Sequence, residues 1–161
     1  MRTIEGDLLT LADEGAFDVI AHGCNCFCNM GKGIALQIRK RYPAAFAADR
    51  ATEKGSRAKL GTCSFATVDG KTRPFVIVNA YTQFHWTGTR PLADYDAIRS
   101  CLRWLAQTYG GRRIGIPRIG AGLAGGDWAL IRELITAELG STDVTVVELK
   151  ANTLRSADEL L

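Results

Sequence analysis

Two glycine-rich stretches hold the residues best suited to chemistry in this chain. The first leaves an apolar run, Asp18-Val19-Ile20-Ala21, and passes through His22-Gly23-Cys24-Asn25-Cys26-Phe27-Cys28-Asn29-Met30. It enters a helix at Gly31-Lys32-Gly33-Ile34-Ala35. The second leaves Ile114-Gly115-Ile116 and runs Pro117-Arg118-Ile119-Gly120-Ala121-Gly122-Leu123-Ala124-Gly125-Gly126 into Asp127-Trp128. Backbone N–H groups at a helix start have no intrahelical acceptor, and the helix dipole adds positive potential, so such loops bind anions. Two of them predict a ligand held from two sides. A diphosphate flanked by sugars suits that cradle.

Three familiar motifs fail on inspection. Gly120-Ala121-Gly122-Leu123-Ala124-Gly125 fits the dinucleotide pattern G-x-G-x-x-G, with Glu148 downstream. That fingerprint normally opens a fold that then supplies several parallel strands, and only one strand is expected after it here. Gly31-Lys32 resembles the end of a P-loop, but Cys26 and Gly33 occupy the positions that require Gly and Ser/Thr. His22 with Cys24, Cys26 and Cys28 invites a zinc reading. Structural zinc sites pair C-x₂₋₄-C units with further ligands, and here only isolated Cys63, Cys101 and His85 remain. We expect no metal and no cofactor. A metal- or dinucleotide-binding domain stays as a third alternative.

The elements that position these loops follow from composition and periodicity. With 161 residues, 47% of them apolar and 23% charged, the chain has the makeup of one globular domain with a real core. We place the domain at residues 1–150 and a short tail with an amphipathic end at 151–161. No run of about 18 apolar residues predicts a membrane span. The start, Met1-Arg2-Thr3-Ile4-Glu5-Gly6-Asp7, lacks the apolar core of a signal peptide. A cytoplasmic monomer is the expectation. Five cysteines, three of them crowded at 24–28, make a poor disulfide framework. Net charge is only +3. The basic run Arg39-Lys40-Arg41 suits a helix C-terminus, and no aromatic stripe interleaves it as single-strand binding would want.

Strands are predicted at 2–5, 18–21, 62–68, 73–80, 113–116 and 144–149, with a hairpin across Asp69-Gly70. Helices are predicted at 33–42, 44–54, 94–109 and 127–139. The helix at 94–109 is the clearest, with Tyr95, Ile98, Leu102, Leu105 and Tyr109 on one face. Alternating strands and helices predict an α/β fold: a three-layer α/β/α sandwich around a mixed, mostly parallel sheet. Ligands in such folds sit beyond the carboxyl ends of strands, where both glycine loops fall.

These segments together resemble a macrodomain, the fold that binds ADP-ribose. Gly6-Asp7-Leu8-Leu9 resembles that family's G-D-[IL] start, His22-Gly23-Cys24-Asn25-Cys26 its asparagine-bearing strand end, and Gly31-Lys32-Gly33-Ile34-Ala35 its G-x-G-[IV]-A helix entry. Pro117 to Leu123 resembles its second loop. The H-x-C-N-C string, Arg41-Tyr42-Pro43 and the G-L-x-G-G-x-W run are similar to the group holding ADP-ribose-1″-phosphate phosphatases and terminal ADP-ribose glycohydrolases.

The resemblance implies roles. Asp7 would accept from the adenine amino group, and Leu8 would flank it. Asn25 would hold the distal ribose hydroxyls. Gly31, Lys32, Gly33, Gly120, Ala121 and Gly122 would line the diphosphate, with Ile34, Ile119 and Leu123 as walls. Each has a plainer reading: Asp7 as a helix cap, Asn25 as a turn former, Lys32 as a solvated side chain, the apolar residues as core. In the phosphatase group a histidine at the place of His22 is implicated in catalysis, so His22 would be general acid or base; the competing reading is a buried, hydrogen-bonded histidine. Gln83 and His85 would reach the distal ribose from the opposite lip. The glycohydrolase lysine has no counterpart in Tyr81-Thr82-Gln83-Phe84-His85-Trp86, and the acid some members carry after the second loop is Ala124. Asp127 reads as a helix cap. The expected function is therefore hydrolysis of an ADP-ribose derivative, with ADP-ribose-1″-phosphate dephosphorylation ahead of de-ADP-ribosylation of protein or nucleobase; a non-catalytic ADP-ribose reader is the alternative.

Overall fold

A computed structural model of the chain describes residues 1–150; the tail at 151–161 lies outside the described residues. The order is β1 (Arg2–Glu5), α1 (Leu8–Asp13), β2 (Val19–Cys24), α2 (Gly33–Arg41), α3 (Pro43–Arg50), a 3₁₀ turn (Arg57–Lys59), β3 (Cys63–Asp69), β4 (Pro74–Tyr81), α4 (Tyr95–Tyr109), β5 (Arg113–Ile116), α5 (Trp128–Leu139) and β6 (Asp143–Glu148). The six strands form one sheet in the order β1-β6-β5-β2-β4-β3. All neighbours are parallel except β3 and β4. This is the expected mixed, mostly parallel sandwich.

Strand alternation sorts the core into two layers. Val19, Ala21, Val78, Ile114, Ile116, Val144 and Val146 face α4 and α5, while Ile20, Phe75, Ile77, Tyr81 and Val147 face α1, α2 and α3. On α4, Ile98, Leu102 and Leu105 are fully buried, each worth about 2 kcal/mol relative to exposure. Gly115 has no side chain because the Phe17 ring fills that place: a Cβ there would stand 2.7 Å from the ring.

The structure departs from the predicted elements in three places. Helix α1 carries too short an apolar pattern to stand out, yet Asp7 caps it, its Oδ1 accepting from Thr10 N at 2.8 Å. The predicted helix at 44–54 stops at Arg50, followed by turns that reach the 3₁₀ segment. The hairpin is wider than a two-residue turn. Pairing ends at Asp69↔Pro74, and Gly70 N–H donates to Arg73 O at 3.1 Å.

Candidate functional site

Three neighbouring parallel strands, β5, β2 and β4, each end in a loop on the same edge of the sheet. Strand β5 leads into the second glycine loop, β2 into the first, and β4 into a lip at residues 83–93. The two glycine loops meet: Leu123 Cδ1 lies 3.4 Å from where a Cβ on Gly33 would stand. Leu123 is itself 54% exposed. Gly33 and Gly120 have φ of +57° and +75°, in the left-handed region open to glycine. Among the described residues, nothing accepts from the N–H groups of Gly33, Ile34 and Ala35 at the start of α2, or of Gly122 and Leu123. Both loops thus carry N–H donors without a protein acceptor among the described residues.

Several predicted site residues take double duty. Asp7 is exposed and spends one carboxylate oxygen on the α1 cap, leaving the other for a ligand donor. Asn25 forms the turn of the first loop: Oδ1 accepts from Phe27 N at 2.9 Å, and Nδ2 donates to Asn29 O at 2.8 Å. One N–H and one lone pair of its amide remain. Gly31 and Lys32 are exposed at the α2 entry, where Lys32 is the cap position and its side chain makes no cap bond. Ile34 is half-buried at the cleft edge. Ile119 corrects the expectation of a ligand wall, and the Leu8 side chain that of a residue flanking adenine: both are buried, Leu8 in the α1–α3 layer and Ile119 in the α4–α5 layer. Ala121 also packs on the latter, and its N–H donates to Arg118 O at 3.1 Å. Asp127 caps α5 as predicted, accepting from Ala129 N at 3.0 Å.

His22 is the main correction. Its ring is 1% exposed on the α3 side of β2. The parallel register sets His22 opposite Asn79 of β4, and His22 Nε2 lies 2.7 Å from Asn79 Oδ1. Asn79 Nδ2 donates to Ala45 O at 2.9 Å and Ser64 Oγ at 3.1 Å, so its Oδ1 must accept and the neutral histidine carries its proton on Nε2. The chain continues from Ser64 to the Tyr81 hydroxyl at 2.8 Å and from Tyr81 to Asp49 Oδ1 at 2.8 Å. Burial pushes the imidazole down to about 4, against the opposing pull of Asn79. A neutral, enclosed ring with a committed proton is a brace beneath the first loop, without access to a ligand for acid–base work.

Under the same loop, Lys59 Nζ donates to Cys26 O at 3.2 Å and sits 3.6 Å from Cys28 Sγ. Cys28 takes a left-handed φ of +55°, held by this contact and by its own 3.3 Å contact to Asp49 O. The cysteine cluster thus packs and braces the loop, with Cys24 and Cys26 buried.

The lip is the part the sequence understated. Gln83 Nε2 donates to His85 O at 2.9 Å, so the predicted Gln83 braces the lip. Cys26 N donates to Phe84 O at 2.9 Å, and Leu92 N to Ala124 O at 2.7 Å; the lip is stitched to both glycine loops. His85 stacks on Trp86 with ring centroids 3.9 Å apart, and Phe27 meets Phe84, His85 and Trp86 edge-on at 5.0, 4.8 and 5.5 Å. The Arg57 guanidinium lies 3.9 Å from the Phe84 ring centre. The string Phe84-His85-Trp86 was the available signal; Phe27 and Arg57 join it only through the fold.

Fold, cradle and lip together define a sheet-edge ligand site of a known class. The Macro domain family profile matches residues 21–135, and the chain belongs to that family. It is 34% identical over 154 residues, 92% of this chain and 96% of the relative, to an uncharacterized 17.5 kDa protein of Enterobacteria phage T4. It is 32% identical over 146 residues to the DNA ADP-ribosyl glycohydrolase of Mycobacterium tuberculosis, covering 88% of this chain and 40% of that protein's length. The solved macrodomain of M. tuberculosis DarG superposes with a TM-score of 0.69 at 25% identity, over 92% of this chain and 95% of that one. A local similarity, 50% over 44 residues, links 27% of this chain to 20% of an ADP-ribose 1″-phosphate phosphatase of Neosartorya fischeri.

Proposed function

We propose that this macrodomain binds ADP-ribose between its two glycine loops and hydrolyses the bond joining the distal ribose to an attached group. The observation that carries the reading is the meeting of the loops at Gly33 and Leu123 with unpaired N–H groups on both sides. That cradle suits a diphosphate. Asp7 has one free carboxylate oxygen for an adenine amino group, and Asn25 has a spare donor and acceptor for ribose hydroxyls.

At the Asn25 end the lip offers Gln83 and His85. His85 Nδ1 accepts from Thr87 N at 3.1 Å, which leaves Nε2 for proton exchange with a leaving group or water. The reaction would break the bond at C1″, add water to that carbon and return a proton to the departing group. The preference for this bond over a phosphomonoester rests on the burial of His22 and on similarity to the DNA ADP-ribosyl glycohydrolases over 88% of the chain. The phosphatase reading keeps one support, the 44-residue similarity.

The test gives the protein three substrates in parallel: an oligonucleotide carrying ADP-ribose on a base, an ADP-ribosylated peptide and ADP-ribose-1″-phosphate. Release of free ADP-ribose, reduced at least tenfold in His85→Ala, is the expected result. Phosphate release outpacing ADP-ribose release would transfer the assignment to the phosphatase. Calorimetry without ADP-ribose binding would sink both.

A further inference from the structure

We infer that the outer edge of β3 pairs with the same edge of a second copy of this chain, joining the two sheets into one. Nothing in this depends on what the cleft binds.

The sheet has two edges, β1 and β3, and they are built differently. An open edge presents a row of unpaired N–H and C=O groups, which charged residues, proline or a short strand normally guard. Strand β1 has only 4 residues; it carries Glu5 and Arg2, the latter tied to Asp143 at 2.8 Å. Strand β3 has 7 residues, Cys63-Ser64-Phe65-Ala66-Thr67-Val68-Asp69, with no proline, lysine or arginine and its one charge at the end. The bonds just beyond it, Tyr81 N to Thr62 O and Gly70 N to Arg73 O, fix the phase of its ladder with β4: even-numbered residues bond inward. The main-chain groups of Cys63, Phe65, Thr67 and Asp69 therefore point outward, and no bond to them is found among the described residues.

This edge is complementary to itself. Its odd-numbered side chains face α4. Phe65 is 53% exposed, with its ring 6.0 Å from Trp104, which in turn meets Tyr109 at 5.8 Å. Antiparallel pairing about a two-fold axis at Ala66 sets Phe65 opposite the partner's Thr67 and Cys63 opposite the partner's Asp69. Among the registers in phase, this one pairs all four outward residues of each copy, for about eight main-chain bonds. An aromatic ring across from a β-branched residue is a favourable pair, and the two Phe65 rings become diagonal neighbours within reach of each other. The exposed ring is thereby covered. No like charges stand opposite each other in this register, and a net charge of +3 per chain leaves little repulsion. One strand is a small contact, so the dimer belongs to the weak, concentration-dependent class. The paired strands run in opposite directions, so the two clefts open at opposite edges of the joint sheet and both stay accessible.

The test is sedimentation velocity of the unliganded chain over a dilution series. The wild type should pass from monomer to dimer as concentration rises. Thr67→Pro removes one outward N–H and leaves the β4 ladder intact, since an edge strand tolerates proline where its N–H faces solvent. It should weaken the dimer about tenfold or more, with circular dichroism and urea midpoint near wild type. Phe65→Lys brings two like charges together across the axis and should weaken the dimer as much without touching the backbone. Ala66→Cys reads the register. Opposite residues of a non-hydrogen-bonded pair have Cα atoms about 4.5 Å apart, within disulfide reach. Glutathione disulfide should therefore link this variant into a covalent dimer much faster than wild type with its native cysteines; each link oxidises two thiols and reduces one glutathione disulfide to two glutathiones. A monomer at every concentration overturns the pairing. So does an unchanged dimer Kd in either folded variant, or an Ala66→Cys chain that links no faster than wild type.

Discussion

The two glycine loops make the same kind of donor surface by opposite means. The first is fixed by side chains. Asn25 closes its turn, Lys59 holds Cys26 O, Cys28 is pinned in a left-handed conformation against Asp49, and the buried chain from His22 to Asp49 lies beneath. The second is held mainly by its own backbone: Ala121 N to Arg118 O, Gly125 N to Gly122 O and Gly126 N to Gly120 O. Its tip, Leu123, stands in solvent against Gly33. One side of the cleft is a fixed wall. The other is a flap whose shape depends on a few glycines and whose tip, Leu123, stands exposed beside Gly33.

The comparison breaks first at the root of the flap. A Cβ on Gly126 would stand 2.5 Å from Gly120 O and 2.9 Å from Ile131 Cδ1. Backbone cannot yield as a flexible side chain does, so Gly126→Ala should cost about 3 kcal/mol, read as a lower urea midpoint. Diphosphate affinity should fall with it. A variant of wild-type stability would mean that the second loop repacks freely and is not set by its glycines.

The wall is probed by pH. An unfolded chain protonates His22 near its ordinary value of 6.5, whereas the folded ring resists until about 4. Between those values the unfolded state binds the extra proton. The contribution is therefore full above pH 6.5 and is lost as pH falls toward 4, by about 3 kcal/mol. Asp49 works the other way: burial raises its carboxyl, opposed by Tyr81 and Lys59. The difference between wild type and His22→Gln isolates the histidine. Urea midpoints at pH 7.5 and 4.5 should move less in the variant. Equal shifts would show that His22 is not held neutral.

That histidine also marks where the sequence stopped being legible. Strands and helices with strong apolar patterns were readable, as were the caps at Asp7 and Asp127, because each depends on neighbours in the chain. The glycine loops were readable for the same reason. The role of His22 depends on Asn79, which lies far along the chain and arrives by strand register. A histidine after Val19-Ile20-Ala21 has the same local surroundings whether it brings a proton to a ligand or braces a core. Ile119 and Leu8 were ambiguous likewise, since an apolar residue just past a strand end can face either cleft or core. The lip needed three segments to meet, which the order of residues does not reveal.

Loosening the wall should make it behave like the flap. Asn25→Ala removes the acceptor for Phe27 N–H and the donor to Asn29 O, in a setting where a buried unpaired group costs about 1–3 kcal/mol. Stability should drop by about 2 kcal/mol. ADP-ribose affinity should drop by more than that stability loss explains, because the residue both shapes the loop and presents its remaining amide groups. Calorimetry on the folded fraction separates the two. A purely structural Asn25 would give weaker folding with normal binding.

The smallest effect should fall on the flap's tip. Leu123 is more than half exposed, so Leu123→Ala should change stability by less than about 0.5 kcal/mol. Its side chain reaches across to Gly33, with Cδ1 3.4 Å from a Cβ position there, and we expect it to shift when a diphosphate enters. Removing it should raise the association rate for ADP-ribose and also its dissociation rate, with a few-fold change in Kd measured by stopped-flow fluorescence. If Leu123 instead seals the bound ligand, only the dissociation rate will rise. Unchanged rates in both directions would mean that the ligand enters from the lip side, and the second loop would then be as fixed in function as the first is in structure.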